Sequence, residues 1–196
     1  MSQIAPYPTP LGLFPRFMAR QPEALALKEK VMSLSGDSFD IKLANGQPIF
    51  QVKGETLSLS HRQHFYDMTG NELFTIRKKL IALHSTYYAE DTNGNVIFEV
   101  KSKFHIGGTK MVCTFTSQSG KEETLMVKGN FFDTRADITD EATKQAVATI
   151  DRKFFNAREI FSGQDTYAVT VASNVDMALI AAMCICMDDK KEEGRG

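Results

Sequence analysis

The residues best able to bind a metal ion or transfer a proton are the four histidines, two of which are close together. His61 and His64 stand three residues apart in "HRQH", and Asp67 follows three residues after His64. On a strand the two histidines would face opposite sides, whereas on a helix they would share a face. The segment has no HExxH or other recognised ligand motif. We therefore interpret these histidines as surface or strand-end residues and predict no metal site.

The sequence also lacks the motifs that mark common enzyme active sites. It contains neither a GxSxG nucleophile elbow nor a Walker loop, and "GGTK" at 107–110 lacks the spacing of such a loop. The carboxylates are scattered, and Cys113 lies in an apolar run that is typical of a core strand. These observations predict a protein without enzymatic activity and without a cofactor.

Basic residues form the clearest pattern that could bind a ligand. Arg77, Lys78 and Lys79 lie together in "IRKKLIALH", and the alternation in "EVKSKFH" puts Lys101 and Lys103 on one face of a strand. If the two hairpins are neighbours, these side chains converge and suit the charged oxygens of a phosphoinositide-like head group. The candidates for lipid head-group binding are Arg77, Lys78, Lys79, Lys101, Lys103 and Lys110. The alternative is a solvated outer sheet face, where basic residues hinder pairing with strands of other molecules.

A repeat in the sequence indicates which elements would carry these side chains. Gly46, Gly70 and Gly94 are 24 residues apart, and a looser copy has Gly120 a further 26 residues on. The first three are followed by an aliphatic residue and phenylalanine, at Ile49-Phe50, Leu73-Phe74 and Ile97-Phe98. Asn93-Gly94 predicts a type I′ turn, which requires positive φ at both central residues. The unit is a strand, a tight turn and a second strand, so a series of such units predicts an antiparallel meander.

Further strand-like runs bring the total to roughly a dozen, which is enough to close a barrel. Runs precede the turns at 39–44, 64–68, 85–90 and 111–116, and others lie at 25–35, 145–153, 158–162 and 166–172. Closure would remove the exposed edges of the sheet. A barrel of this width is too wide for strand side chains alone to fill.

One segment has the pattern of a buried helix, because apolar residues cover all sides of "VDMALIAAMCICM" at 175–187. Asn174 or Asp176 can act as its N-cap. It is shorter than the roughly 20 apolar residues that span a bilayer. We predict that the barrel is filled by this helix through Met177, Leu179, Ile180, Met183 and Ile185. The predicted fold class is all-β with one buried helix: a closed antiparallel barrel of about twelve strands around a central C-terminal helix.

Composition and charge limit the partners and the location. The 196 residues carry a net charge of −1, so any attraction to phosphate must come from a local patch, and we expect no nucleic-acid partner. Three cysteines without CxxC spacing favour reduced thiols in the cytoplasm. The proline-containing N-terminus does not resemble a secretory signal. We divide the chain into an extended arm at 1–15, a barrel domain at 16–189 and a flexible tail at 190–196.

Several stretches resemble the LURP-one-related family, which belongs to the tubby C-terminal-like superfamily with the phospholipid scramblases as other relatives. The most specific are "VMSLSGDSFD", "LFTIRKKLIALH" and "NVDMALIAAMCICMDD", and the resemblance extends from about residue 12 to residue 189. It implies a twelve-stranded barrel around a central C-terminal helix. In tubby proteins, phosphoinositide binding uses a basic–x–basic pair on the strand that is similar to "TIRKKLI". Arg77 matches the second basic position, and Thr75 stands at the first.

The residues and the resemblance together predict a non-enzymatic barrel protein that binds anionic phospholipid head groups weakly, as a regulatory or adaptor module at the membrane periphery. One alternative is a protein-interaction scaffold that contacts an unidentified protein through the arm at 1–15 or a polar loop at 130–145. Another is a scramblase-like protein that uses the C-terminal helix as a membrane anchor, with palmitoylation of Cys184 or Cys186.

Overall fold

Twelve antiparallel strands form one closed barrel around a single α-helix in the part of the chain that the structure describes. The computed structural model describes residues 4–28, 38–55, 62–105, 108–129, 135–152 and 166–193. The strands are β1 (Glu23–Lys28), β2 (Ser38–Leu43), β3 (Pro48–Gly54), β4 (Gln63–Asp67), β5 (Glu72–Lys78), β6 (Thr86–Glu90), β7 (Val96–His105), β8 (Gly108–Thr116), β9 (Glu122–Gly129), β10 (Arg135–Asp140), β11 (Ala146–Asp151) and β12 (Thr166–Val171). The helix α1 is Met177–Glu193, and a 3₁₀ turn at Pro15–Phe17 precedes β1. The predicted fold class is confirmed.

Each strand pairs with the strands next to it in the chain, and β1 closes the ring against β12. Leu25 lies opposite Val169 in that closing pair. Closure pairs every described strand on both sides, which protects the edges that an open meander would expose. The predicted strand at 158–162, and residues 29–35 of the one at 25–35, lie outside the described residues.

The turn glycines of the repeat all adopt the left-handed backbone conformation. The φ angles lie between +78° and +86° at Gly46, Gly70, Gly94 and Gly120. The predicted type I′ turn is wrong, because Asn93 is not among the described residues with positive φ. Instead, the N–H of Gly94 donates to the carbonyl oxygen of Asp91 at 3.0 Å, and the Asp91 carboxylate accepts the N–H groups of Asn93 and Asn95. These bonds favour a three-residue loop, a type I turn that ends on a left-handed glycine.

The repeated phenylalanines meet inside the barrel. Phe50, Phe74 and Phe98 are buried and point into the core. With Phe65 they form a chain of rings, with centroids 5.1 Å apart for Phe50–Phe65, 4.6 Å for Phe65–Phe74 and 5.5 Å for Phe74–Phe98. Aromatic pairs at these distances stabilise a core beyond the area they bury. One position of the repeat therefore supplies three members of a single aromatic cluster.

The sequence predicted one polar loop at 130–145, and this prediction is wrong. Residues 135–140 form β10, and 130–134 lie outside the described residues. Ala136 and Ile138 belong to the core, and the strand ends at the buried Asp140. The polar residues that alternate with them obscured the strand, because an antiparallel strand needs apolar residues on only one face.

The helix α1 is held at both ends by carboxylates. Asp176 is its N-cap, because Oδ1 accepts the N–H groups of Ala178 at 2.9 Å and Leu179 at 3.4 Å. Near the C-terminal end, Asp188 accepts hydrogen bonds from Tyr167 and Arg152, at 2.6 Å each. The residues predicted to fill the barrel are all buried: Met177, Leu179, Ile180, Met183 and Ile185. Among the described helices, none has both the length and the apolar character needed to cross a bilayer.

The segment before β1 lies across one end of the barrel, which we call the turn end because it carries the tight turns after β2, β4, β6, β8 and β10. There Arg16 Nη2 lies 2.7 Å from Asp67 Oδ2, and the Tyr7 hydroxyl donates to Asp140 at 2.8 Å. The opposite end, the loop end, carries the connection from β5 to β6. The division of the chain into arm, barrel and tail stays a prediction.

Candidate ligand-binding face

Strands β5, β6 and β7 bring basic residues together on the outer surface of the barrel. In the strand register Arg77 lies opposite Tyr88, and Tyr88 lies opposite Glu99. Lys101 extends this row toward the loop end, because it is two residues after Glu99 on the same face of β7. Lys79, the residue directly after β5, lies beside it and donates to the same Glu99 carboxylate. We call the surface formed by Arg77, Lys79, Tyr88, Glu90, Glu99 and Lys101 the basic face.

Carboxylates neutralise part of the charge on the basic face. Arg77 Nη1 donates to Glu90 Oε2 at 2.9 Å. Lys101 Nζ lies 2.5 Å from Glu99 Oε1, and Lys79 donates to the other oxygen of the same carboxylate. The cations of Arg77 and Lys79 also lie 5.8 Å and 5.7 Å from the centroid of the Tyr88 ring, within cation–π distance. Three bases, two acids and one ring therefore form a single contact network.

The ion pairs move the pKa values of two members of this network away from neutrality. Burial would raise the pKa of Glu99, but hydrogen bonds from Lys101 and Lys79 outweigh burial and lower it. The hydrogen bond to Glu90 raises the pKa of Arg77, against the opposing effect of burial. Both groups are charged at neutral pH, so an anionic ligand must compete with the carboxylates for the cations.

The other three predicted lipid-binding residues occupy different positions. Lys78 lies opposite Tyr87, whose side chain is buried, so this position belongs to the inner side of β5. Lys103 lies directly opposite Lys110 on the outer side of β7 and β8. Lys110 Nζ is 4.0 Å from Glu141 Oε1. Five of the six candidates therefore share the outer surface, and two of those five are like-charge neighbours across a strand pair.

Sequence reasoning missed the acids and the ring that organise the basic face. The alternation along β7 gave Glu99 the same side as Lys101, so their proximity could have been read from the sequence. The contact between Glu99 and Lys79 could not, because it depends on the register across β5, β6 and β7.

Sequence reasoning also missed the exposure of the connection between β5 and β6. Leu80, Ile81 and Leu83 expose 66%, 98% and 94% of their surface. A short apolar run of this kind is indistinguishable by pattern from a buried segment. Its position directly after Lys78 and Lys79 was the only available signal.

His64 is held by local polar contacts. Its Nδ1 is 3.0 Å from Glu72 Oε1 and 3.1 Å from Thr75 Oγ1, and the Thr75 hydroxyl donates to Glu72 at 2.6 Å. Thr75, two residues before Arg77, is thus engaged with its own strand and β4. His61 lies outside the described residues. Within the described ranges, no three His, Cys, Asp or Glu side chains are grouped closely enough to hold a metal ion.

The cysteines are all in the core. Cys113, Cys184 and Cys186 are free and buried, and burial raises the pKa of each thiol. Protonated thiols are poor nucleophiles. Palmitoylation of Cys184 or Cys186 would therefore require α1 to leave the barrel.

Comparison with known families identifies the group to which this barrel belongs. A family model described as LURP-one-related matches residues 23–188. The chain belongs to the LURP-one-related family. Two relatives from Arabidopsis thaliana, Protein LURP-one-related 15 and Protein LURP-one-related 10, are each 27% identical to it. The alignment covers 97% of this chain and 91% of the first relative, and 91% of this chain and 95% of the second.

A solved structure shares the fold of this LURP-one-related chain. It is the X-ray structure of a protein from Arabidopsis thaliana, and it matches with a TM-score of 0.60 at 20% sequence identity. The match covers 92% of this chain and 97% of that one. At this identity the similarity shows the fold and carries no residue roles. The predicted family is confirmed, whereas the predicted lipid-binding residues stay a prediction.

Proposed function

We propose that this LURP-one-related protein is a non-catalytic barrel module that binds anionic phospholipid head groups, phosphoinositides among them, through the basic face and the neighbouring Lys103–Lys110 pair. The observation that carries the proposal is that pair, in which two lysines lie directly opposite each other on adjacent strands. Like charges in such a position destabilise a sheet. A phosphate group bound between them would replace the repulsion with charge-assisted hydrogen bonds.

The charge balance predicts weak and salt-sensitive binding. The five outer bases are accompanied by Glu90, Glu99 and Glu141, which leaves an excess of two positive charges among these eight residues. At about 1 kcal/mol per cation near an anionic membrane, the excess contributes roughly 2 kcal/mol. Attraction of this kind fades as added salt shortens the Debye length below about 8 Å.

A location at the cytoplasmic side of a membrane fits the chemistry of the chain. Its three cysteines are free, as expected of a protein in a reducing compartment. The basic face lies on the barrel surface, so it can meet a bilayer without any rearrangement of the fold. A scramblase-like use of α1 would instead withdraw a helix whose residues 177–188 are all buried. The outer surface is therefore the better candidate for the membrane contact.

A protein-interaction scaffold is the second candidate function. The exposed aliphatic residues between β5 and β6 favour it, because contiguous apolar side chains at a surface commonly mark contact sites. In this case the protein would not bind vesicles, and a protein partner would bind the exposed aliphatic residues between β5 and β6.

Vesicle co-sedimentation tests the proposal. Neutral phosphatidylcholine vesicles, vesicles with phosphatidylserine and vesicles with a phosphoinositide at matched charge are compared at low salt. We expect binding to both anionic types, with phosphoinositide ahead, and a loss of binding in the Lys103→Ala/Lys110→Ala variant. The control variant Arg20→Ala/Lys121→Ala removes the same charge from exposed positions at the turn end and should bind like the wild type. Equal losses of binding in both variants would show that the net charge of the protein, and not the position of Lys103 and Lys110, determines binding. The absence of binding to any vesicle would overturn the proposal.

A further inference from the structure

The connection between β5 and β6 projects an apolar tip from the loop end of the barrel. Of the large apolar side chains that are exposed in the described part of the chain, three of five belong to this one connection. They are Leu80, Ile81 and Leu83, and Ala82 between them is exposed as well. Exposed apolar residues that occur singly are ordinary, whereas a contiguous group indicates a contact with an apolar phase or partner.

The base of this connection is firmly attached to the barrel. The N–H of Lys79 donates to the Thr86 carbonyl oxygen at 2.9 Å, and the N–H of Ser102 donates to the Ser85 carbonyl oxygen at 2.9 Å. The Thr86 hydroxyl also donates to the carbonyl oxygen of His84 at 2.9 Å. The tip is therefore displayed on a fixed base and does not need to fold before it makes contact.

Positive charge surrounds the tip on the side of the barrel. Lys79 immediately precedes the tip, and Lys101 lies opposite Thr86, where β6 begins. Lys103 is two residues further along β7 on the outer side. An anionic bilayer offers phosphates at its surface and hydrocarbon just beneath, so it complements an apolar tip with cations around its base.

We propose that the β5–β6 connection is a membrane-insertion loop, in which Leu80, Ile81 and Leu83 enter the acyl boundary of an anionic bilayer while the basic face contacts the head groups. This inference rests on the proposed function and adds a second, apolar component to it. The two components respond differently to salt, because screening weakens the attraction of charges and leaves apolar burial intact. Binding should therefore fall with salt to a plateau above zero.

The size of the apolar component can be predicted for each side chain. Full burial of a leucine or isoleucine side chain corresponds to about a tenfold or larger change in a partition coefficient, and shallow insertion to somewhat less. The variant Leu80→Ser/Ile81→Ser/Leu83→Ser should thus bind anionic vesicles at least about a hundredfold more weakly. Its remaining binding should vanish at high salt. Its melting temperature should equal that of the wild type, since these side chains are exposed.

A single tryptophan provides a direct test, because the chain contains none. Ile81→Trp places the reporter at the tip, and Val96→Trp places a matched reporter on an exposed residue at the turn end. Phosphatidylserine-containing vesicles with brominated acyl chains are added to each variant. We expect a blue shift and quenching of the fluorescence for Ile81→Trp, and neither for Val96→Trp although both variants co-sediment.

The outcomes separate this inference from the proposed function. If both variants bind vesicles but the Ile81→Trp emission is neither shifted nor quenched, insertion is overturned and head-group binding stands. If the wild type and both variants fail to bind any vesicle, both proposals are overturned. A blue shift of Ile81→Trp that grows with protein concentration in the absence of vesicles would identify a second copy of the chain as the occupant and also overturn insertion.

Discussion

Gly12 lies so close to the side chain of Asp176 that a Cβ atom on Gly12 would be 2.1 Å from the Asp176 Cβ. The same carboxylate that caps α1 with Oδ1 accepts the N–H groups of Leu13 and Phe14 with Oδ2, at 2.9 Å and 2.8 Å. One buried side chain therefore joins the segment before β1 to the helix in the barrel.

We expect Gly12→Ala to lower the free energy of unfolding by about 1–3 kcal/mol, because the added methyl group cannot fit and must displace the chain from Asp176. Urea denaturation followed by circular dichroism would measure the change. Gly46→Ala is the matched control, since Gly46 also has positive φ but has open space around the added atom. Equal losses in the two variants would show that backbone conformation alone, and not the contact with Asp176, explains the effect.

The pH dependence of stability should carry a contribution from Asp176. Burial raises the pKa of its carboxyl group to about 6, although the hydrogen bonds from four backbone N–H groups act to lower it. Because this folded pKa is above the unfolded value, the stability that protonation adds is fully present below the unfolded pKa and is lost as pH rises through 6. The stability of the wild type relative to Asp176→Asn should therefore increase as pH falls from 7 to about 4. A constant difference in melting temperature over this range would contradict the prediction.

Replacing Ala181 with aspartate should unfold the protein or leave it molten. Ala181 is fully buried on α1, and an unpaired charge at this position costs several kcal/mol. Loss of near-ultraviolet circular dichroism and of a cooperative melting transition would measure the effect. Ala142→Asp, at an exposed position in the turn after β10, introduces the same charge and should melt like the wild type. A soluble Ala181→Asp variant with an unchanged melting temperature would show that α1 does not fill the barrel.

Local patterns were enough to predict the architecture. The spacing of Gly46, Gly70 and Gly94 reflects a backbone requirement for positive φ, and that requirement is visible in the residue type. The all-round apolar character of α1 likewise follows from its burial inside the barrel. The turn type was missed because the carboxylate of Asp91, outside the Asn93-Gly94 pair, selects it.

The candidate site was only partly predictable, because its organisation depends on contacts between strands. Alternation along a strand identified Lys101 and Lys103 as one side of β7, in agreement with their exposure. The same alternation assigns Lys78 and Lys79 to opposite sides of the barrel wall, so the inner position of Lys78 could have been predicted but was missed. The sharing of Glu99 by Lys79 and Lys101 follows from the register of three strands, which no single segment encodes.

The carboxylate of Glu99 forms ion pairs with two cations of the basic face, Lys79 and Lys101. Glu99→Gln should strengthen binding to anionic vesicles by about fivefold, which corresponds to about 1 kcal/mol for one released charge. The salt dependence of binding should also become steeper, because more of the binding then comes from exposed cations that are no longer paired with Glu99 and that salt can screen. Glu122→Gln makes the same change of net charge at an exposed residue near the turn end and should leave binding as in the wild type. Co-sedimentation over a salt series measures both effects. An equal gain in the two variants would assign the effect to net charge, and no gain in Glu99→Gln would show that Lys79 and Lys101 do not contact the membrane.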